Sequence, residues 1–203
     1  VPIKLHVPSR FSESRTTRNM LIGAYIGIML VMGLYNLFIF FSIRARSYLI
    51  YVSYILFVML TQLAFWGIGQ YYIWGGLSWF SVKASIVFTF LTAIAASEFM
   101  KHFIDTRAHV PRLHAGIKYF YGLFVAVVGT YMFLAPNLGY KLAQVSAGLF
   151  ASYMLITIIK VRRMGSRQAG YFLVAWSVFL VGTLVFTLKD MGILPYNDIT
   201  VFT

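Results

Sequence analysis

The stretch that decides the fold is the apolar run MLIGAYIGIMLVMGLYNLFIFFSI, residues 20–43. The run contains no charged residue, and a helix rising 1.5 Å per residue over this length crosses a hydrocarbon core of roughly 30 Å. Because lipid offers no hydrogen-bond partner to the backbone, a lone apolar run must be a helix and not a strand. Residues 20–43 therefore predict a first membrane-spanning helix.

Similar apolar runs recur along the chain. They predict further spans at about residues 48–66, 79–99, 115–135, 138–159 and 169–188, and a seventh run begins at Ile199 and is truncated. The composition agrees, because 60% of the residues are hydrophobic and 11% charged, with a mean hydropathy of +0.79. A soluble domain has about a quarter of its residues charged. The predicted fold class is an all-α membrane protein, a seven-transmembrane helical bundle with six complete helices.

The net charge of +12 is distributed unevenly between the two predicted faces. Ten Lys and Arg residues lie beside the loops after helices 1, 3 and 5, whereas the loops on the opposite side have Lys83, Lys141 and Lys189. The linker, with four Lys and Arg among residues 1–19, breaks this bias, which an upstream domain that is already exported explains, because long domains translocate largely regardless of charge. An excess of basic residues in short loops marks the cytoplasmic side, so the amino terminus is predicted to lie outside. The determinants of this topology are Arg44, Arg46, Arg107, Arg112, Arg162, Arg163 and Arg167, with Lys101, Lys118 and Lys160 beside them. Basic clusters between apolar runs indicate contact with the lipid bilayer, and not with nucleic acid.

Residues 1–19 differ from the rest of the chain. Val1, Ile3, Leu5 and Val7 alternate with polar residues and would share one face of a strand. We interpret residues 1–19 as the end of an extracytoplasmic β domain plus a polar linker, followed by the bundle at residues 20–203. Since the chain begins at Val1 and stops within an apolar run, we expect it to be a segment of a longer protein.

Three side chains within the spans are candidates for inward-facing structural or polar positions. Asn36 would seek an interhelical hydrogen bond, and Trp176 belongs to the sixth span. Glu98 lies near the inner end of the third span, where a carboxylate raises the question of a proton relay. Pairing with Lys101 or His102, one helical turn away, explains Glu98 equally well.

Aromatic residues surround the loop between helices 2 and 3. The candidate outer-face aromatics are Trp66, Tyr72, Trp74 and Trp79. An interfacial belt explains them, and a ligand site built from these rings and the nearby glycines is the alternative.

No catalytic, cofactor-binding or metal site is predicted. The chain has no cysteine, and all four histidines lie outside the apolar cores, so a pair of haem-ligating histidines within spans is excluded. His102, His109 and His114 share one loop with Asp105, which is better explained by interfacial loop residues than by a metal site. A phosphate-binding loop and the common hydrolase motifs are also missing from the sequence.

Two passages carry a family resemblance. The first is GLYNLFIFFSIR (33–44) followed by SYLIY (47–51), and the second is GYFLVAW (170–176) followed by GILPYN (192–197) and Thr200. Both resemble the bacterial seven-transmembrane receptors with diverse intracellular signalling modules. The resemblance covers roughly residues 20–203. It implies an extracytoplasmic β-sandwich domain, seven helices with the amino terminus outside, and a cytoplasmic output module, commonly a diguanylate cyclase (GGDEF) or a histidine kinase.

The resemblance favours the sensor and transmitter segment of a receptor in the bacterial inner membrane. Its expected partners are a small extracytoplasmic ligand, for which carbohydrates are one candidate class, the output domain of the same chain, and a second copy in a homodimer. The segment itself is expected not to be an enzyme. A secondary transporter fragment, or a bundle that binds a cofactor such as retinal in helix 7, remains the alternative.

Overall fold

The computed structural model describes residues 8–76, 78–81 and 83–190, and all regular structure in these residues is helical. Long helices form the candidate spans, and short helices lie in some of the loops between them. The helices are α1 (Pro8–Ile43), α2 (Arg46–Phe65), α3 (Ile68–Tyr72), α4 (Ser78–Ser81), α5 (Ala84–Phe103), α6 (Thr106–His109), α7 (Pro111–Gly129), a π-helix (Thr130–Leu134), α8 (Pro136–Arg163) and α9 (Arg167–Asp190).

Five helical stretches in the described residues are long and apolar enough to cross a membrane. They are Thr16–Ile43, Arg46–Phe65, Ala84–Phe103, Pro111–Leu134 and Pro136–Arg163. The prediction of a multi-pass helical membrane protein is thereby confirmed. The sixth predicted span falls within α9, and the run from Ile199 lies outside the described residues. The total of seven spans and the outward amino terminus stay predictions.

The largest differences from the expected boundaries are at the starts of the first and third spans. Helix α1 begins at Pro8, so the stretch expected to be a linker is helical and continues into the first span, while residues 1–7 lie outside the described residues. The third span begins at Ala84 and not at Trp79, which lies in the separate helix α4. Hydropathy could not show this second difference, because Phe80 is apolar like a span residue but packs on the loop residue Trp74, with 6.0 Å between ring centroids.

The chain forms two compact units, residues 1–96 and 97–203, whose boundary falls within α5. In the first unit, α1 and α2 form an antiparallel hairpin. Tyr25 contacts Trp66 edge to face at 5.3 Å, and Gly33 faces Ile55. Farther along, the hydroxyl groups of Thr61 in α2 and Thr92 in α5 are 3.0 Å apart. These contacts fix α2 against its neighbours on both sides.

The second unit is organised by the hairpin of α7, the π-helix and α8. Phe120 and Phe124 of α7 pack on Phe150 of α8, at centroid distances of 5.3 and 5.1 Å. The Tyr153 hydroxyl donates to the Leu113 carbonyl at 2.8 Å. The side chains of this unit that are almost completely buried include Ser97, Met100, Ile104, Thr106, Ile117, Phe124, Met154, Thr157, Ile158, Val161 and Ala169.

Helix α9 follows a tight turn at Gly165, whose φ of +95° favours glycine. The ring of Phe172 in α9 lies 6.2 Å from Phe99 and 6.1 Å from Phe103, both near the carboxyl end of α5. These ring contacts hold the start of α9 against α5.

The tightest backbone approach in the second unit is at Gly139, in the first turn of α8. A Cβ atom at this position would overlap the backbone of Tyr131 in the π-helix, whereas one at Gly148, farther along α8, would meet nothing within 4 Å. We expect Gly139→Ala to lower the free energy of unfolding by about 1–3 kcal/mol through overpacking. Gly148→Ala should be neutral or slightly stabilising, because Ala favours helix. Thermal unfolding in detergent measures both, and equal stability of the two variants would contradict the close packing of α8 on the π-helix.

Candidate functional site

The candidate site is a polar cluster that joins α5 to α7. One carboxylate oxygen of Glu98, Oε1, accepts a hydrogen bond from Lys101 Nζ at 2.5 Å and one from the Tyr121 hydroxyl at 2.8 Å. Ser97 Oγ lies 2.6 Å from the same hydroxyl. Because the Tyr121 proton goes to the carboxylate, the Ser97 hydroxyl is the donor to Tyr121. The result is a chain of hydrogen bonds from Ser97 through Tyr121 to Glu98 and Lys101.

The negative charge of Glu98 in this cluster is paired with the positive charge of Lys101. Glu98 and Lys101 form an i,i+3 ion pair in which the Lys101 side chain is 16% and the Glu98 side chain 34% exposed. The Lys101 ammonium also lies 5.4 Å from the centroid of the Tyr121 ring, within the range of a cation–π contact. Ser97 is completely buried. The carboxylate is therefore neutralised locally, which makes the ion pair with Lys101 the better explanation of Glu98.

The loop between α5 and α7 is ordered by its own hydrogen bonds. Asp105 adopts a left-handed conformation and caps α6 through its carboxylate, which accepts from the Ala108 backbone N–H at 3.4 Å. Thr106 is completely buried, and its hydroxyl lies 2.8 Å from His114 Nδ1 in α7. Through Thr106 and His114, the loop that follows the Glu98 cluster is bound to the helix that carries Tyr121.

The other two predicted inward residues make different contacts. The Asn36 amide donates to the Met32 carbonyl of its own helix at 2.8 Å. The Trp176 ring stacks on Phe172, one turn earlier in α9, at 6.1 Å. The predicted interhelical hydrogen bond of Asn36 and the inward role of Trp176 stay predictions.

The predicted outer-face aromatics do not form one group. Trp66, Tyr72 and Trp79 are exposed, whereas Trp74 is buried. Trp74 covers Gly69, where a Cβ atom would overlap the indole, and it contacts Phe88 at 5.4 Å. Lys83 Nζ lies 4.4 Å from the centroid of the Trp79 ring. Trp74 therefore serves the packing of the loop, and the exposed rings suit a membrane interface.

The predicted topology determinants are all exposed, and those at the end of α8 also suit its dipole. The exposed side chains are Arg44, Arg46, Arg107, Arg112, Arg162, Arg163 and Arg167. Lys160, Arg162 and Arg163 occupy the last turn of α8, where cations are favoured. Among the described residues, no three His, Asp or Glu side chains lie close enough together to hold a metal ion.

The sequence of residues 18–203 matches the family described as 7TM diverse intracellular signalling. The chain belongs to this family. No curated protein and no solved structure matches it. The expected resemblance is thereby confirmed over nearly the whole chain, and the segment is a multi-pass membrane domain of signalling proteins that contacts the lipid bilayer.

Within this signalling domain, sequence reasoning identified Glu98 and its pairing with Lys101 but missed Ser97 and Tyr121. The sequence of an apolar helix does not show whether a tyrosine faces another helix or the lipid. Tyr119, two residues before Tyr121, is exposed. The spacing of 23 residues between Glu98 and Tyr121 crosses a loop, so no helical periodicity relates them. Only the fold brings the two side chains together.

Tyr121→Phe tests the cluster, because it removes one hydroxyl and keeps the ring. The hydrogen bond between Ser97 and Tyr121 would be lost inside the protein, and Glu98 would lose one of its two hydrogen bonds. We expect a loss of about 1–3 kcal/mol in the free energy of unfolding. Tyr119→Phe, on the same helix and 72% exposed, is the matched control and should be neutral. Equal thermal stability of the two variants in detergent would contradict the hydrogen-bond chain.

Proposed function

We propose that this segment is the transmitter of a bacterial inner-membrane receptor. It couples an extracytoplasmic ligand-binding domain to a cytoplasmic output module, either a diguanylate cyclase or a histidine kinase. The observation that carries the proposal is the chain of hydrogen bonds joining Ser97, Glu98 and Lys101 of α5 to Tyr121 of α7. Membership of the signalling family supports the same function.

The physical argument begins with packing in lipid. Apolar helices in a bilayer associate through van der Waals contacts and lack the hydrophobic driving force of a soluble core. Apolar contacts alone therefore allow neighbouring helices to shift with little cost, whereas a set of directional hydrogen bonds favours one register. A ligand shifts such an equilibrium by its differential affinity for the two states. The polar cluster of α5 and α7 is the element that can define two discrete registers.

The cluster is well placed to pass a change onward. The loop from Ile104 to Val110 follows α5 directly and is bound to α7 through Thr106 and His114. It carries the exposed Arg107, and Arg112 follows it in the first turn of α7. A change in the register of α5 against α7 therefore moves this basic loop, which we place on the cytoplasmic face beside the output module.

The orientation is testable because the chain has no cysteine. Single cysteines at Ser47 and Gln168, both exposed, should react with a membrane-impermeant maleimide only after the membrane is permeabilised. A cysteine at Gly76, where the structure leaves open space, should react in intact cells. Labelling of Gln168→Cys in intact cells would invert the topology.

The transmitter function is tested by output activity in the full-length receptor. We expect Tyr121→Phe in membrane vesicles to change the basal turnover of the output module by up to about tenfold, because loss of hydrogen bonds shifts the balance between the two states. Tyr119→Phe should leave the output unchanged. Identical output from both variants, with both folded, would contradict the proposal. Solute uptake by vesicles containing the segment alone would support the transporter alternative.

A further inference from the structure

A groove lies at the turn between the π-helix and α8, at the end of these helices remote from Arg162 and Arg163. Its volume is about 560 Å³, and it is lined by Tyr131, Pro136, Asn137, Tyr140 and Lys141. It lies wholly within the second compact unit. Neither the Glu98 cluster nor the aromatic loop after α2 contributes to it.

The polar groups of this groove favour an anion. The lining residues carry one ammonium group (Lys141), one amide (Asn137) and two hydroxyls (Tyr131 and Tyr140), and none of them carries a carboxylate. An ammonium on a flexible stem is a common binder of phosphate as a point charge. The surrounding amide and hydroxyl groups can donate to the remaining phosphate oxygens.

The location of the groove favours a lipid as the source of that phosphate. It lies where the two candidate spans Pro111–Leu134 and Pro136–Arg163 meet. We expect the ends of helices that cross the hydrocarbon core to lie at the level of the headgroups. The apolar side chains beside it in the sequence are exposed and available to acyl chains; they are Phe133 (76%), Leu134 (79%), Leu138 (52%) and Leu142 (40%). A free phosphate compound would make no use of these apolar flanks.

We propose that this groove binds the phosphate of an anionic phospholipid, with Lys141 as the charged contact and the two tyrosines as hydroxyl donors. The proposal needs only that the segment spans a membrane and is independent of the transmitter function. The shape of the groove depends on the π-helix, because the lining residue Tyr131 belongs to the π-helix. The first turn of α8 packs closely on the backbone of Tyr131 through Gly139.

Photo-crosslinking tests this proposal in the purified chain. A photoreactive phosphatidylglycerol is bound in detergent micelles, and the modified peptides are identified by mass spectrometry. We expect crosslinks at residues 131–142 that fall about fivefold in Lys141→Gln, in line with the effect of one basic residue near an anionic surface. Lys160→Gln removes the same charge from the other end of α8 and should leave these crosslinks unchanged. Lys141→Arg should retain most of them.

The competing outcomes are distinguished in the same assay. Unchanged crosslinking in folded Lys141→Gln, or equal crosslinking by a phosphatidylcholine probe, would overturn the proposal. Competition by millimolar inorganic phosphate would overturn the assignment to lipid and identify a soluble phosphate compound as the ligand. If Lys141→Gln fails to fold, the double variant Tyr131→Phe with Tyr140→Phe removes both hydroxyls and keeps both rings. Loss of the crosslinks in this variant would support the proposal, and unchanged crosslinking would overturn it. Because no step measures output activity, failure here is separate from failure of the transmitter function.

Discussion

The constraint on which this structure depends is that no polar group in a hydrocarbon layer can rely on water for a hydrogen bond. The backbone meets it by forming helices. Many hydroxyl and amide side chains of the described residues meet it within their own helix, by donating to the carbonyl four residues earlier. The residues that do so include Asn36, Ser42, Ser53, Thr89, Thr130, Ser152 and Ser177. A hydrogen bond of this kind does not itself bind one helix to another, so the interhelical hydrogen bonds carry the specificity of the bundle. Thr61 makes bonds of both kinds, to the Phe57 carbonyl and to Thr92.

Three interhelical ties stand out in the described residues: Thr61 with Thr92, Tyr121 with Ser97 and Glu98, and Tyr153 with the Leu113 carbonyl. Each joins a different pair of helices. The Tyr153 tie also depends on a small residue, because a Cβ atom at Gly116 would overlap its hydroxyl. Small residues and hydrogen bonds therefore act together: the first allows close approach and the second fixes the register, as expected where lipid removes the hydrophobic preference of helix for helix.

Hydropathy was sufficient to predict the class of fold and most span boundaries, because span length is set by the bilayer and not by partners. It failed where apolar residues serve a loop. Trp74 was expected to be a belt residue and Phe80 a span residue. Instead, the two rings pack on each other, and α5 begins only at Ala84. The π-helix at Thr130–Leu134 had no sequence signal, because Thr, Tyr, Met, Phe and Leu are all common in spans. Of the candidate site, the pairing of Glu98 with Lys101 followed from helical spacing, whereas Tyr121 and the groove around Lys141 depend on which helices meet.

Helix α7 with its π-helical extension connects the two polar regions of the second unit. Tyr121 lies at the Glu98 cluster and Tyr131 lines the groove, about 15 Å apart at 1.5 Å per residue. A helix is stiff along its axis, so a shift of α7 changes the Tyr121 hydrogen bonds and the contact of Tyr131 with Gly139 together. The backbone of Gly139 lies so close to that of Tyr131 that a Cβ atom on Gly139 would overlap it, so a shift of α7 would be felt at this contact. The π-helix, which continues α7, is therefore where an axial change of α7 can be absorbed or initiated, and a headgroup held between Tyr131 and Lys141 would act directly on it.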